Sequence, residues 1–330
     1  MRILPDSNID FLRWRWHALA LSVAVIVGGF ALMAARGGLP LGIDFSGGTV
    51  VVVQFDRPVT EEAVRDALEP IEGEKVVQQY GEPGANQVLI RLPEVSAEEE
   101  GASLEQDSLR VVEAVRAAGL GEFEVISTEI VGAVIGEDLQ WKGIYAAIFS
   151  LFGILAYIAL RFRPSFGVGA VIATVHDLLV TLSFLMFFGY ELSLNVVAAV
   201  LTITGYSVND TIVIFDRVRE NLRSMRRDSL HDVVNRSVNQ TLSRTIITAF
   251  TTTMAVLALY VWGGEVLRGF AFTMLVGLIS GTYSTVFIAA AVAILFSRRK
   301  AAARAESAAS PAAAVPSRRK AARKSKARAS

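Results

Sequence analysis

The sequence predicts a bundle of six membrane-spanning helices with one α+β domain inserted between the first and the second. Three observations predict it. Six apolar runs lie near residues 16–35, 142–160, 165–188, 192–215, 243–262 and 269–296. Crossing a hydrocarbon core of about 30 Å takes about 20 helical residues, so each run is long enough or nearly so. The segment 36–141 is different in kind: it holds 21 of the 32 acidic residues and 7 of the 32 basic ones, with strand and helix periods in its apolar residues. Arginines also recur in alternate connections, the mark of a multi-pass protein with a set orientation. The chain of 330 residues is 52% hydrophobic with a mean hydropathy of +0.45, which places it among membrane proteins.

The elements follow in order. Residues 1–15 form a cytoplasmic N-terminus carrying Arg2, Arg13 and Arg15. The run 16–35 is too long for a signal-peptide core and no small-x-small site precedes Arg36, so it is read as a retained anchor. Within 36–141, Gly48 to Phe55 is Val-rich and strand-like. Thr60 opens a helix as N-cap, with Glu61 and Glu62 in the first turn. Lys75 to Tyr80 and Gln87 to Leu92 read as strands around Gly81-Glu82-Pro83-Gly84. Ser103 to Ala118 has helical periodicity, and Phe123 to Ile130 is a last strand. The order βαββαβ suggests a ferredoxin-like domain. Helices two to six then occupy 142–296, and 297–330 is a basic tail whose composition predicts disorder.

Arg161 and Arg163 lie between the second and third spans, and six arginines from Arg217 to Arg236 between the fourth and fifth. Arg298, Arg299 and Lys300 follow the sixth, whereas the turn Gly189-Tyr190-Glu191 has no base. Both termini are therefore expected in the cytoplasm and the acidic domain outside. The arginine face of 219–227 reads as a contact for anionic lipid headgroups rather than for nucleic acid. Without cysteine, a disulfide framework and a thiolate metal site are excluded. Three histidines leave little for a metal cluster, and no Gly-rich nucleotide loop is present, so no cofactor is expected.

Polar residues line three consecutive spans. Thr174, Asp177 and Thr181 are three and four apart in the third; Ser207, Asp210 and Thr211 do the same in the fourth, beside Thr204 and Asn209. Arg244, Thr248 and Thr251 or Thr252 share a face in the fifth. A carboxylate at the centre of a spanning helix costs about 2.5–3.5 kcal/mol on the insertion scale, so Asp210 points to a proton, an ion or a buried partner. The simplest arrangement is a central polar path with Asp210 facing Arg244. Each has a plainer reading: Asp177 as a helix-pairing residue, Arg244 as a snorkelling cation, the threonines as interhelical contacts. The sixth span carries Gly277-Leu278-Ile279-Ser280-Gly281, a small-xxx-small face that lets two helices approach closely.

Longer motifs carry a resemblance. Gly42-Ile43-Asp44-Phe45-Ser46-Gly47-Gly48-Thr49 and Val131-Gly132-Ala133-Val134-Ile135-Gly136-Glu137-Asp138-Leu139 resemble signatures of the SecD/SecF family. So do Val175-His176-Asp177, Gly205-Tyr206-Ser207-Val208-Asn209-Asp210-Thr211-Ile212-Val213, Phe215 to Asn221 and Asn239 to Thr245, these of the SecF type. The match runs from about residue 8 to 296. The resemblance implies half of an RND-type transporter in the bacterial plasma membrane. It implies a SecD-like partner, action beside the SecYEG channel with a YajC-like accessory, and an exported unfolded polypeptide as cargo. Protons would be the coupling ion, with the relay on Asp210 and Arg244, and Asp177, Ser207, Asn209, Thr211 and Thr248 in support. Gly42, Asp44, Phe45, Gly47 and Gly48 would couple the outer domain to the bundle.

Other classes remain readable. An intramembrane aspartyl protease would use Asp177 and Asp210, but Ser207-Val208-Asn209 precedes Asp210 where such enzymes show Gly-x-Gly, so no enzymatic activity is expected. A passive scaffold leaves Asp210 unexplained. A proton-coupled exporter of small molecules or lipids shares the architecture and differs in its cargo.

Overall fold

The computed structural model of the chain describes residues 8–71, 75–81, 84–92, 102–162 and 164–297. Helix α1 (Arg15–Ala35) follows a single 3-10 turn at Phe11–Trp14, where Asp10 caps the Arg13 amide. The chain then passes through one helical turn, α2 (Ile43–Ser46), into the inserted domain. Its elements are β1 (Gly48–Phe55), α3 (Glu61–Ala67), β2 (Val76–Tyr80), β3 (Gln87–Leu92), α4 (Ala102–Ala117) and β4 (Phe123–Val131). The expected N-cap forms: the Thr60 hydroxyl accepts from the Ala63 amide.

The four strands make one antiparallel sheet in the order β2-β3-β1-β4. Strand β1 lies inside it, and its valine run is buried on both faces, as a continuous apolar strand requires. Val51, Val53 and Phe55 point to one side with Val77, Val88 and Ile90, where Val64, Leu68, Val111 and Val115 cover them. Val50 and Val52 point to the other, against Ile43, Leu89 and Val131. Each fully buried valine is worth about 1.5–3 kcal/mol, so the domain carries a core of its own, separate from the bundle.

Among the described residues six helices are long and apolar enough to cross a membrane. After α1 these are α5 (Ala133–Arg161), α6 (Pro164–Phe188), α7 (Leu194–Ser224), α8 (Leu230–Trp262) and α9 (Glu265–Ser284). A π turn at Thr285–Ala289 carries α9 on as helix to Ser297. Helices α6, α7 and α9 form the centre: 50%, 44% and 61% of their spanning windows are buried, against 17%, 6% and 11% for α1, α5 and α8. The outer three therefore present most of their surface to lipid or to another protein. The glycine face of α9 packs on α7, where a Cβ at Gly277 would collide with Ile203 and one at Gly281 would sit 3.0 Å from the Ser207 Cβ.

One bound needs correction. Residues 133–141, placed in the inserted domain, are the start of α5, which begins at Ala133 with Gly132 as N-cap. Helix α7 runs to Ser224 and α8 starts at Leu230, both past the apolar runs 192–215 and 243–262. Hydropathy marks where hydrocarbon begins; backbone hydrogen bonding continues past it, so helices outrun their apolar cores. The basic tail beyond Ser297, and residues 94–101 of the acidic stretch 94–107, lie outside the described residues.

Candidate functional site

The bundle holds two carboxylates, Asp177 buried and Asp210 half-buried, and they are built differently. Asp177 sits near the middle of α6 and is 3% exposed. Its Oδ1 accepts from the Ser280 hydroxyl at 2.7 Å and lies 3.1 Å from His176 Nδ1. Its Oδ2 accepts from Ser207 at 2.6 Å and from Ser284 at 2.7 Å. Three hydroxyls from α7 and α9 thus close on one carboxylate from α6. The π turn helps to place them: a wide turn turns successive side chains toward different neighbours. Ser284 reaches α6, while Thr285 pairs with Thr211 of α7 at 3.1 Å.

Asp210 lies one turn beyond Ser207 on α7 and faces α8 instead. Its Oδ1 accepts from the Thr245 hydroxyl at 2.7 Å. Its Oδ2 is buried and has no hydrogen-bond partner among the described residues. The expected arrangement with Arg244 opposite needs correction. No ion pair joins the two among the described residues. The reason is helical phase. Consecutive residues are about 100° apart around an α-helix, so with Thr245 turned to α7, Arg244 stands on the exposed flank of α8. Thr248 and Asn209 are also exposed; the Thr248 hydroxyl bonds the Arg244 and Thr245 carbonyls of its own helix.

The expected polar path therefore divides in two. Asp177, Ser207 and the unanticipated Ser280 and Ser284 form one cluster; Asp210 and the unanticipated Thr245 form the other. The i, i+4 spacing of Ser280 and Ser284 was a usable signal in the sequence. Thr245 carried none beyond its place next to Arg244.

A third set of contacts lies at the domain end of α7. Asp44 Oδ2 accepts from the Leu194 amide at 2.8 Å, so a carboxylate outside the bundle caps the helix that carries Asp210. Ser193 caps the same end through the Val196 amide. The Gly42 amide donates to the Leu192 carbonyl and the Leu192 amide to the Pro40 carbonyl, both at 2.8 Å. A Cβ at Gly42 would sit 3.2 Å from that Leu192 oxygen, which is why the close approach needs glycine. Gly47 and Gly48 turn α2 into β1 with φ of 69° and 116°. Phe45 is buried, its backbone against Gly136 and its ring against Gly143 of α5.

Arg91 on β3 completes this region. Its guanidinium donates to Glu191 Oε1 at 2.6 Å and to the Leu41 carbonyl at 2.8 Å. Burial pushes the Glu191 carboxyl above the ordinary glutamate range, against the opposing charge and hydrogen bond of Arg91. A raised value in the docked state means that protonation favours docking. That contribution is present at low pH and lost as pH rises through the raised value. Hydrogen-exchange protection of the Gly42 and Leu192 amides should therefore increase as pH falls through the raised value of Glu191, and a Glu191→Gln variant should show a flat profile. Protection that falls with acid in the parent would contradict this.

Six helices long and apolar enough to cross a membrane, two carboxylates inside their bundle and an α/β domain docked on one helix end define a class, the multi-pass membrane proteins with an inserted domain. The comparisons narrow it. Residues 111–299 match the family model for the protein export membrane protein SecD/SecF, C-terminal, and residues 33–59 match the SecD/SecF GG motif. The chain is 41% identical to the protein translocase subunit SecF of Desulfurispirillum indicum, covering 88% of this chain and 92% of that one. It is 36% identical to that of Escherichia coli O157:H7, covering 88% of each. Among solved structures it is similar to SecDF, a translocon-associated membrane protein from Thermus thermophilus, with a TM-score of 0.78 and 34% identity over 89% of this chain. It is also similar to SecDF in a super-membrane-facing form, with a TM-score of 0.67. The chain spans 39% and 41% of those two longer chains. It belongs to the SecD/SecF family of protein export membrane proteins.

Proposed function

We propose that this chain is the SecF-type subunit of a Sec protein-export machine, driven by protons that bind and leave Asp210. The observation that carries the proton role is the buried, unpartnered Oδ2 of Asp210 inside a spanning helix. A carboxylate in that position sheds its charge by taking up a proton or is paired by a donor that moves in. Arg244, one residue from Thr245 on the flank of the neighbouring helix, is such a donor by position. In one state Asp210 is neutral and holds only Thr245; in the other it is ionised and α8 turns or a partner shifts to bring Arg244 to it. Asp177, Ser207, Thr211, Asn209 and Thr248 support the relay by position. One proton crossing the membrane supplies about 2.3 kcal/mol per 100 mV. A full swing from 1:99 to 99:1 takes about 5.5 kcal/mol, so a proton biases the two states and the export step is completed by their cycling.

The remaining parts follow the same reading. The βαββαβ order and the sheet order β2-β3-β1-β4 support a ferredoxin-like domain. The arginine-rich connections support cytoplasmic termini, with the domain on the outer side of the bacterial plasma membrane. Six spans with one outer domain make half of an RND-type transporter. The outward-facing sides of α1, α5 and α8 leave room for a SecD-like half, which the longer SecDF chains contain by name. SecYEG, a YajC-like protein and the emerging polypeptide complete the set of partners. The role is transport rather than enzymatic. Extraction of the full chain in mild detergent should recover a SecD-type chain with it. Recovery of the chain alone, from cells that contain a SecD-type protein, would contradict the reading.

A further inference from the structure

Helix α7 carries Asp210 but has no covalent link to the outer domain. The chain enters that domain from α1 and leaves it into α5. The α1 route is compliant: Gly37 and Gly38 take φ of 83° and 139°, and a Cβ on either would meet nothing within 4 Å. Helix α5 is the least buried of the six and bears neither carboxylate. Helix α5 packs on α7 at Ile158, near the ends of both helices far from the domain; at the domain end, movement of α7 meets the domain through non-covalent contacts. The contacts of Gly42 and Asp44 end in the segment before the sheet. Arg91 belongs to the sheet itself: on β3 it is paired with Val50 of β1 and Val76 of β2.

We propose that Arg91 and Glu191 are the coupling residues of this protein, the point at which displacement of α7 is passed to the domain sheet. This rests on the reading that Asp210 carries the coupled proton. Asp210 lies sixteen residues past Leu194 on one uninterrupted helix, about 24 Å at 1.5 Å per residue. A helix of that length moves as a rod on the scale of an ångström, so tilt or sliding at Asp210 appears at Leu194 and in the adjoining Glu191. The guanidinium then acts as a two-pronged fork. One prong holds the Glu191 carboxylate before α7, and the other holds the Leu41 carbonyl beside the glycine-rich segment. Arginine suits this because its planar donors hold both acceptors in one fixed geometry, which an ammonium does not. A half-buried ion pair such as this one is a poor source of stability compared with apolar packing, and the best-attested use of such a pair is to fix register. Here the register is that of a sheet on a helix end.

The test uses the full chain with its partners in inverted membrane vesicles, and separates gradient-stimulated export from export without a gradient. Arg91→Lys keeps the charge and loses the fork; Glu191→Gln keeps an acceptor and loses the charge. Both should accumulate normally and export normally without a gradient. Each should reduce the gradient-stimulated component roughly tenfold, within the range by which two coupled sites affect one another. The native chain has no cysteine, so Arg91→Cys with Glu191→Cys can be joined by a short thiol cross-linker. The unlinked pair should lose the stimulated component and the linked pair should recover it. If Asp210→Asn abolishes gradient stimulation while Arg91→Lys, Glu191→Gln and the unlinked pair retain it, the coupling proposal is overturned and the proton reading stands. If Asp210→Asn retains stimulation, the proton reading itself falls. Lowered membrane abundance of the variants, with stimulation per molecule unchanged, would overturn the coupling role and leave Arg91 a stabilising contact.

Discussion

Asp210→Asn should leave the protein abundant in the membrane and bound to its partner, yet remove the gradient-driven part of export. Asparagine keeps the shape and still accepts the Thr245 hydroxyl that holds Asp210 Oδ1 at 2.7 Å. It cannot gain and lose a proton. The unpartnered Oδ2 becomes an amide with no acceptor among the described residues, a penalty of about 1–3 kcal/mol that the bundle can bear. Glutamate keeps the titration with the carboxyl displaced by one methylene, and should retain part of the activity. At position 244, Lys should be tolerated better than Met, since a cation must remain within reach, though an ammonium lacks the fork. Thr245→Val removes the hydroxyl and keeps the shape, so it should weaken gradient stimulation without abolishing it. Export of a secreted reporter into vesicles, with and without an imposed proton gradient, reads all five. A gradient-stimulated component in Asp210→Asn equal to that of the parent would make Asp210 a helix-pairing residue.

Asp177→Ala should do the opposite: damage the fold first. The carboxylate accepts from three hydroxyls and stands against His176, tying α6, α7 and α9 together. Interhelical hydrogen bonds in membranes average about 0.6 kcal/mol each, so loss of the three hydroxyl contacts is worth about 2 kcal/mol before the buried His176 ring is counted. Some of the loss is recoverable, because Ser284 can also donate to the Gly281 carbonyl at 3.2 Å. Asp177→Asn should be milder, since one oxygen still accepts. Thermal unfolding of the purified protein in detergent should show Asp177→Ala well below Asp177→Asn, with the parent highest. An Asp177→Ala variant as stable as the parent but dead in gradient-driven export would instead make Asp177 a second proton carrier.

The two carboxylates show how far the sequence could be read. Apolar run length and arginine placement gave six spans, because the hydrocarbon thickness imposes a length on any spanning helix. The outer domain was equally legible: β1 and β3 start and stop at the anticipated residues, as valine and glycine content and the Asp56-Arg57-Pro58 stop suggest. Asp210 stood out because a carboxylate in hydrocarbon is costly wherever it points. Its partner was not legible. Arg244 and Thr245 are neighbours in sequence, and which of them meets α7 depends on the rotation of α8, set by packing along its whole length. The link between Arg91 and Glu191 was hidden for another reason: residues 100 apart meet only because the sheet docks over the α6–α7 turn, and no local period encodes that.

The central claim is that Asp210 is protonated in one working state and ionised in the other. Infrared difference spectroscopy of the full chain with its partner in lipid, between low and high pH, tests it most directly. The account predicts a carboxylic-acid carbonyl band that appears at low pH, gives way to carboxylate bands at high pH, and is missing from Asp210→Asn while persisting in Asp177→Asn. A spectrum in which Asp210→Asn and the parent show the same carboxylic-acid band would contradict it.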